Sequence, residues 1–233
     1  MRIMTFNILH CCNFLTKQID FQAFADTIRE LDPDIVGLNE VRDKGTDPEY
    51  DRQVEILSEL TGMPYRYFAH ATDYPGGPYG NGFLSKIPIV TAETVMIPDP
   101  EVKNGKRYYE TRAILKAKLE NGLTVLVTHI GLNSDEQENA VSTLVDNLAP
   151  EKCIVMGDFN MTPNNPTLNS LREKLHDAAE LFDSPLLSFP SPAPTMKLDY
   201  LLGTPDIRFL WADIPDIRTS DHRPHLAEIS FAL

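Results

Sequence analysis

An acid and an amide, Asp158 and Asn160, close the run Cys153-Ile154-Val155-Met156-Gly157-Asp158-Phe159-Asn160. Four apolar residues without alternation, then glycine, read as a strand buried on both faces that delivers the polar pair at its C-terminal end. Open α/β sheets place their ligand sites there. A carboxylate can orient and deprotonate a water, and an amide can donate and accept hydrogen bonds without changing charge. The competing reading is a plain turn, because Asp and Asn bond their own backbone and Thr162-Pro163-Asn164-Asn165 continues the same chemistry.

Other apolar runs end the same way. Asn7 stands near the end of the strand from Ile3 to Leu9, and Glu40 near the end of Asp34-Ile35-Val36-Gly37-Leu38-Asn39-Glu40-Val41. An ionised Glu40 among apolar neighbours needs a partner. His129 ends Leu123-Thr124-Val125-Leu126-Val127-Thr128-His129, Asp199 lies in Lys197-Leu198-Asp199-Tyr200-Leu201-Leu202, and Asp221 and His222 precede the final strand. Each has a structural explanation alone; the set points to one shared site. His10, His70, His176 and His225 fall outside it.

The elements that must carry these residues are legible in outline. Asp20 caps a helix whose Phe21, Phe24, Ala25, Ile28 and Leu31 recur at helical spacing, and Pro33 stops it. Asp47-Pro48 opens a second helix that Gly62 closes, and Ser134 with Gln137 forms a capping box for a third. Asn165-Pro166 starts a fourth. Tyr65, Tyr67 and Ala69 alternate as a strand to His70, and the glycine- and proline-rich stretch from Asp73 to Gly82 reads as a loop able to approach a ligand. Short strands follow at Phe83 to Ser85 and Val90 to Ile97. Asn121-Gly122 joins Arg112–Leu119 to the strand ending at His129, a hairpin that brings Arg112 and His129 to the same end. Ile207 to Ile214 and Ala227 to Phe231 are further strands, and Asp183 to Pro194 is a pinned loop.

With 21 basic and 34 acidic residues the formal charge is −13, which argues against a protein that tracks a long nucleic-acid backbone. The short basic cluster Lys103, Lys106 and Arg107 reads as a solvated loop tip. Three cysteines, two of them adjacent, suit neither a disulfide framework nor a zinc site. No apolar run is long enough to span a bilayer, and a strand beginning at Arg2 leaves no room for a signal peptide, so a cytoplasmic location is the default expectation.

Taken in order, Thr5-Phe6-Asn7-Ile8, Leu38-Asn39-Glu40-Val41, Thr128-His129, Gly157-Asp158-Phe159-Asn160, Leu198-Asp199-Tyr200 and Ser220-Asp221-His222 resemble the endonuclease/exonuclease/phosphatase superfamily with the DNase-I-like fold. The resemblance covers nearly the whole chain, as a single domain over residues 1–233. It implies an α/β (α+β) four-layer sandwich: two mixed β-sheets packed face to face, helices on the outer faces, and the site at one end. Asn39 stands where many relatives have Gln and is expected to point away from the site.

The resemblance makes Glu40 the principal metal ligand, with Asn7 and Asp221 nearby. Carboxylate and amide oxygens suit Mg2+ or Mn2+ better than zinc. Asp158 is expected to orient and deprotonate the attacking water, and Asn160 to hold that water or the phosphate. His222 is expected to donate to a phosphate oxygen with Asp199 behind it, and His129 to be a second donor or the proton source for the leaving oxygen. Asn81 and Arg112 are expected as substrate contacts and Tyr79 as a wall. The implied activity is metal-dependent hydrolysis of phosphoric esters, foremost phosphodiesters, by in-line attack of water. A DNA or RNA nuclease is the alternative, and a catalytically silent binding module is the reading from another class. The acidic balance favours a small or lipid-derived ester over a long nucleic acid; a monomer without integral membrane association is expected.

Overall fold

Apolar runs such as Ile35–Leu38 and Cys153–Met156 can be buried on both faces only inside a layered structure. In the computed structural model they form the centres of two six-stranded sheets. Residues 1–46, 50–182 and 186–232 are described. In chain order the elements are β1 (Arg2–Asn7), the short pair β2 (Cys12–Asn13) and β3 (Gln18–Ile19), α1 (Phe21–Leu31), β4 (Ile35–Arg42), α2 (Gln53–Thr61), β5 (Tyr65–Tyr74), β6 (Gly77–Ser85) and β7 (Ile89–Met96). Then follow β8 (Ala113–Leu119), β9 (Thr124–His129), α3 (Ser134–Asn147), β10 (Cys153–Asp158), α4 (Asn169–Arg172), β11 (His176–Asp177), β12 (Asp199–Gly203), β13 (Arg208–Asp213) and β14 (His225–Ser230).

The first sheet runs β13-β14-β1-β4-β6-β5 and the second β11-β12-β10-β9-β8-β7. Each is mixed, with one parallel pair at its centre: β1 with β4, and β9 with β10. Ile3, Ile35 and Phe83 of the first sheet pack directly against Val125, Val127, Ile154 and Met156 of the second. Met4, Phe6, Val36 and Leu38 turn the other way, onto Phe24 and Ile28 of α1 and Leu57 of α2. Leu126 and Val155 likewise meet Ala140, Val141 and Leu144 of α3. Alternate residues of one strand thus serve two cores, which is why these strands lack a polar face. The layers are helix, sheet, sheet, helix, as the resemblance implies. The parallel centre strands end on one edge of the sandwich, which brings Asn7, Glu40, His129 and Asp158 to the same end.

Asp20 caps α1 as expected, through Oδ1, which accepts from Ala23 N–H at 3.0 Å. Other local expectations change. The expected helix opening at Asp47-Pro48 lies outside the described residues; α2 itself begins at Gln53. The capping box of α3 is Asn133 with Glu136, not Ser134 with Gln137, because the Asn133 side chain also accepts from Arg107 N–H at 2.9 Å and is held in place. The stretch from Asp73 to Gly82 is not a loop: β5 and β6 pair through it and turn only at Tyr74–Gly77. Its glycines answer close approach as much as turning, since a Cβ at Gly80 would lie 2.0 Å from Ala69 O.

Candidate active site

Glu40 owes its direction to a bulge. Leu38 faces Gly82 and Val41 faces Gly80, so Asn39 and Glu40 together oppose Asn81 alone, and Glu40 takes φ 58°. A bulge re-aims a side chain, and the left-handed backbone of a non-glycine residue costs about 1–2 kcal/mol. Asn7 bridges from β1: its Nδ2 donates to Glu40 Oε1 at 3.0 Å and to Asp158 Oδ2 at 3.2 Å. Its Oδ1 accepts from Leu9 N–H at 3.1 Å. Leu9, His10 and Cys11 form a left-handed turn, φ 44°, 46° and 59°, tied down by Gln53 Nε2 donating to His10 O at 2.7 Å. This strained turn orients the Asn7 amide. The expected metal ligand therefore presents its nitrogen to the two carboxylates, with its oxygen already engaged.

The second sheet supplies the opposing groups. Asp158 pairs in register with His129 on one side and Asp199 on the other. Gly157, φ 141°, lets β10 approach β9 so closely that a Cβ there would lie 1.8 Å from Thr128 O. Asp158 Oδ1 accepts from Asn160 N–H at 2.9 Å, and Asn160 Nδ2 donates to Ile130 O at 2.9 Å while lying 3.2 Å from His129 Nε2. His222 Nδ1 donates to Asp199 Oδ2 at 2.8 Å, and the Nε2 atoms of His222 and His129 each lie 3.5 Å from Asp158 Oδ2. Phe189 covers the His222 ring at 4.7 Å between centroids. The loop carrying Phe189 is pinned to the His222 loop by Ser191 N–H donating to Asp221 O at 2.7 Å and Arg223 N–H donating to Ser188 O at 2.9 Å.

Arg112 and Asn81 stand behind this front. Arg112 Nη1 lies 2.7 Å from His129 Nδ1 and 2.6 Å from Glu110 Oε1, in a side chain 12% exposed. A guanidinium only donates, so His129 Nδ1 accepts and the ring proton sits on Nε2, the side facing Asp158. Asn81, 2% exposed, accepts from Asn39 Nδ2 at 2.8 Å and donates to Ala113 O at 2.8 Å. Of the two residues expected as substrate contacts, Arg112 here sets the His129 tautomer and Asn81 joins the sheets. Asp221 is half-buried, and the Tyr79 hydroxyl faces Glu40.

Two residues escaped the sequence reading. Asn39 is fully buried rather than turned idle, and its Oδ1 accepts from the Asp158 N–H at 2.9 Å. Its signal was available: a polar residue inside the same apolar run that drew attention to Glu40. Glu110, in a stretch that reads as a charged loop, carried no such signal.

Burial raises the Asp158 carboxyl to about 7, opposed by the His222 charge and assisted by Asp199. Burial pulls the His222 imidazole down, but Asp199 and Asp158 outweigh it and lift the ring to about 10. Burial, then Arg112 and His222, pushes His129 well below its usual range. One imidazole is therefore charged and the other neutral, on either side of a carboxyl poised near neutrality. Burial also raises Glu40, against the Asn7 hydrogen bond, and Asp221 adds to the rise.

These donors fit a divalent cation. Glu40 is a half-buried acid with a second acid beside it, and oxygen donors of this kind suit a hard ion. Ligand atoms of Asp158, Asp199 and His222 also lie within 4.8 Å of one another, and Asp199 Oδ1 is buried without a hydrogen-bond partner among the described residues.

The fold has counterparts. The crystal structure of an endonuclease/exonuclease/phosphatase from Beutenbergia cavernae superposes with TM-score 0.79 at 22% identity, covering 99% of this chain and 71% of that one. A mannosyl-6-phosphatase from Bacteroides thetaiotaomicron gives 0.76 at 14% identity over 99% and 100% of the two chains. The human Nocturnin catalytic domain, with bound sulfate, gives 0.73 at 18% over 100% and 94%. No curated protein matches the chain. Likeness at such identities establishes the fold; the sequence match over residues 4–222 to the Endonuclease/Exonuclease/phosphatase family establishes that the chain belongs to that family.

Proposed function

We propose that this protein is a divalent-metal-dependent hydrolase of phosphoric esters, with small or lipid-derived phosphodiesters as its substrate class. One observation carries the reading. Asp158 Oδ2 lies 3.5 Å from the Nε2 atoms of both His129 and His222, and 3.2 Å from the Asn7 amide that also holds Glu40. A base, two imidazoles and an acid suited to a cation thus converge on one place.

Asp158, with its carboxyl near 7, orients a water and takes its proton as that water attacks phosphorus in line with the leaving oxygen. Asn160, held by Ile130 O and the Asp158 turn, positions the water or a phosphate oxygen. His222, charged and fixed by Asp199, donates from Nε2 to a phosphate oxygen and is the group able to release a proton to the leaving oxygen. His129 has a narrower role. Neutral, with Arg112 donating to its Nδ1, it would become an imidazolate on giving up its remaining proton, so it acts as a hydrogen-bond donor only.

Glu40 and Asp221 would hold the cation, Mg2+ or Mn2+. Asn7 joins them only if its amide turns, because its oxygen is bonded to Leu9 N–H. When bound, the ion supplies positive charge against the phosphate oxygens. The net charge of −13 favours a small substrate over a long polyanion. The mannosyl-6-phosphatase among the fold relatives, matched from end to end, is named for a small phosphate ester.

The test incubates wild type and Asp158→Ala with aryl phosphodiesters and monoesters, plasmid DNA and short RNA, with Mg2+, Mn2+ or chelator. Metal-dependent turnover of a small ester, lost in the variant, is expected. Preferential cleavage of DNA or RNA selects the nuclease alternative. No turnover of any ester, or full turnover after exhaustive chelation, overturns the reading.

A further inference from the structure

Most contacts between the two sheets are apolar and therefore non-directional, yet Glu40 and Asp158 must face each other at a defined separation. Asn39 and Asn81 are among the directional contacts, beside the Asn7 bond to Asp158 Oδ2 and the Tyr67–Thr94 hydroxyl contact. Asn39 accepts from Asp158 N–H at 2.9 Å and donates to Thr128 O at 2.9 Å and Asn81 Oδ1 at 2.8 Å. Asn81 donates in turn to Ala113 O at 2.8 Å. Two amides on adjacent strands of the first sheet thus grip β10, β9 and β8 of the second.

Every gripped backbone group belongs to a site residue or adjoins one. Asn39 precedes Glu40, the Asp158 N–H is the base's own, Thr128 precedes His129, and Ala113 follows Arg112. Both amides are buried, so water cannot replace these bonds. We propose that Asn39 and Asn81 are positioning residues: an inter-sheet amide clamp that sets the distance from the cation-holding Glu40 to the Asp158 base and its His129 neighbour. This rests on the hydrolase reading above.

Asn39→Gln tests it, because the longer side chain keeps every donor and acceptor but adds about 1.5 Å between the sheets' polar groups. A misplacement of about 1 Å in a reacting constellation can cost about 100-fold. We expect kcat to fall about 10- to 100-fold, and Mn2+ affinity measured by calorimetry without substrate to weaken at least about fivefold. Asn81→Ala, which removes one bond of the clamp, should give a smaller change of the same sign in both. Leu57→Ala, in the core beneath α2, is the control for general destabilisation: it lowers the melting temperature with kcat and Mn2+ affinity unchanged. An active wild type whose Asn39→Gln variant keeps both wild-type kcat and Mn2+ affinity overturns the clamp alone. So does a loss that Leu57→Ala reproduces. A wild type that neither binds Mn2+ nor hydrolyses any ester overturns the hydrolase reading and the clamp together.

Discussion

Asp158→Asn should stabilise the metal-free protein while abolishing its activity, and the size of the effect follows from the site. An unfolded aspartate loses its proton near 3.8, whereas burial holds the folded carboxyl to about 7. Between those values the unfolded state has already released the proton, so Asp158 makes stability fall as pH rises. At about 1.4 kcal/mol per tenfold change in acidity, the ionised group costs the folded state about 4 kcal/mol at pH 7.5. The amide removes that cost but introduces another. Asp158 Oδ2 accepts from Asn7 and faces two imidazole nitrogens, and Oδ1 accepts from Asn160 N–H. Either amide orientation therefore opposes a donor to a donor, a penalty of about 1–3 kcal/mol. The net gain is about 1–3 kcal/mol, or a rise of about 2–10 °C in melting temperature for a chain of this size. Thermal unfolding followed by circular dichroism in chelator should show that rise at pH 7.5 and its reversal to a small loss at pH 3.5, where aspartate is largely protonated in both states and only the amide's mispairing remains. A variant no more stable than wild type at pH 7.5, or a difference independent of pH, would refute the reasoning.

His222→Ala should lower kcat by about 10²- to 10⁴-fold with the fold retained by circular dichroism, since the ring is the charged donor beside Asp158; wild-type turnover would sink its role. Arg112→Leu frees His129 Nδ1 to carry the proton, so NMR of the imidazole nitrogens should change from the single Nε2–H tautomer to a mixture, with turnover reduced about tenfold or more; an unchanged tautomer counts against the lock. Gly157→Ala sets a Cβ 1.8 Å from Thr128 O at φ 141° and should cost at least about 3 kcal/mol in denaturant unfolding. A loss below about 1 kcal/mol would mean that β9 and β10 do not meet so closely.

The positions along the chain of the polar groups that meet at one end of the sandwich were legible because each breaks a local pattern. An acid in Ile35–Val41 or after Met156-Gly157 interrupts a run that burial otherwise explains, and that can be seen without knowing any neighbour. Strand and helix order followed from the same apolar periodicity, together with caps such as Asp20. Turn chemistry was less reliable: glycines at 80 and 82 read as loop because composition does not separate a glycine that turns from one that a neighbouring carbonyl crowds.

Which partner each polar group takes is a different question. Asn39 finds its partners 42, 89 and 119 residues away, so no window of sequence contains them. The direction of the Asn7 amide depends on a left-handed turn that no residue type announces, and Arg112 stands behind His129 because Glu110 holds it there. The sequence by itself determined the family, the layered fold and the acids, amides and imidazoles that reach one end of it, since burial and periodicity are properties of neighbours along the chain. Only the tertiary structure decided which of them face one another, which brace the others and how each amide and imidazole is turned, because hydrogen bonds between two sheets exist only once the sheets have packed.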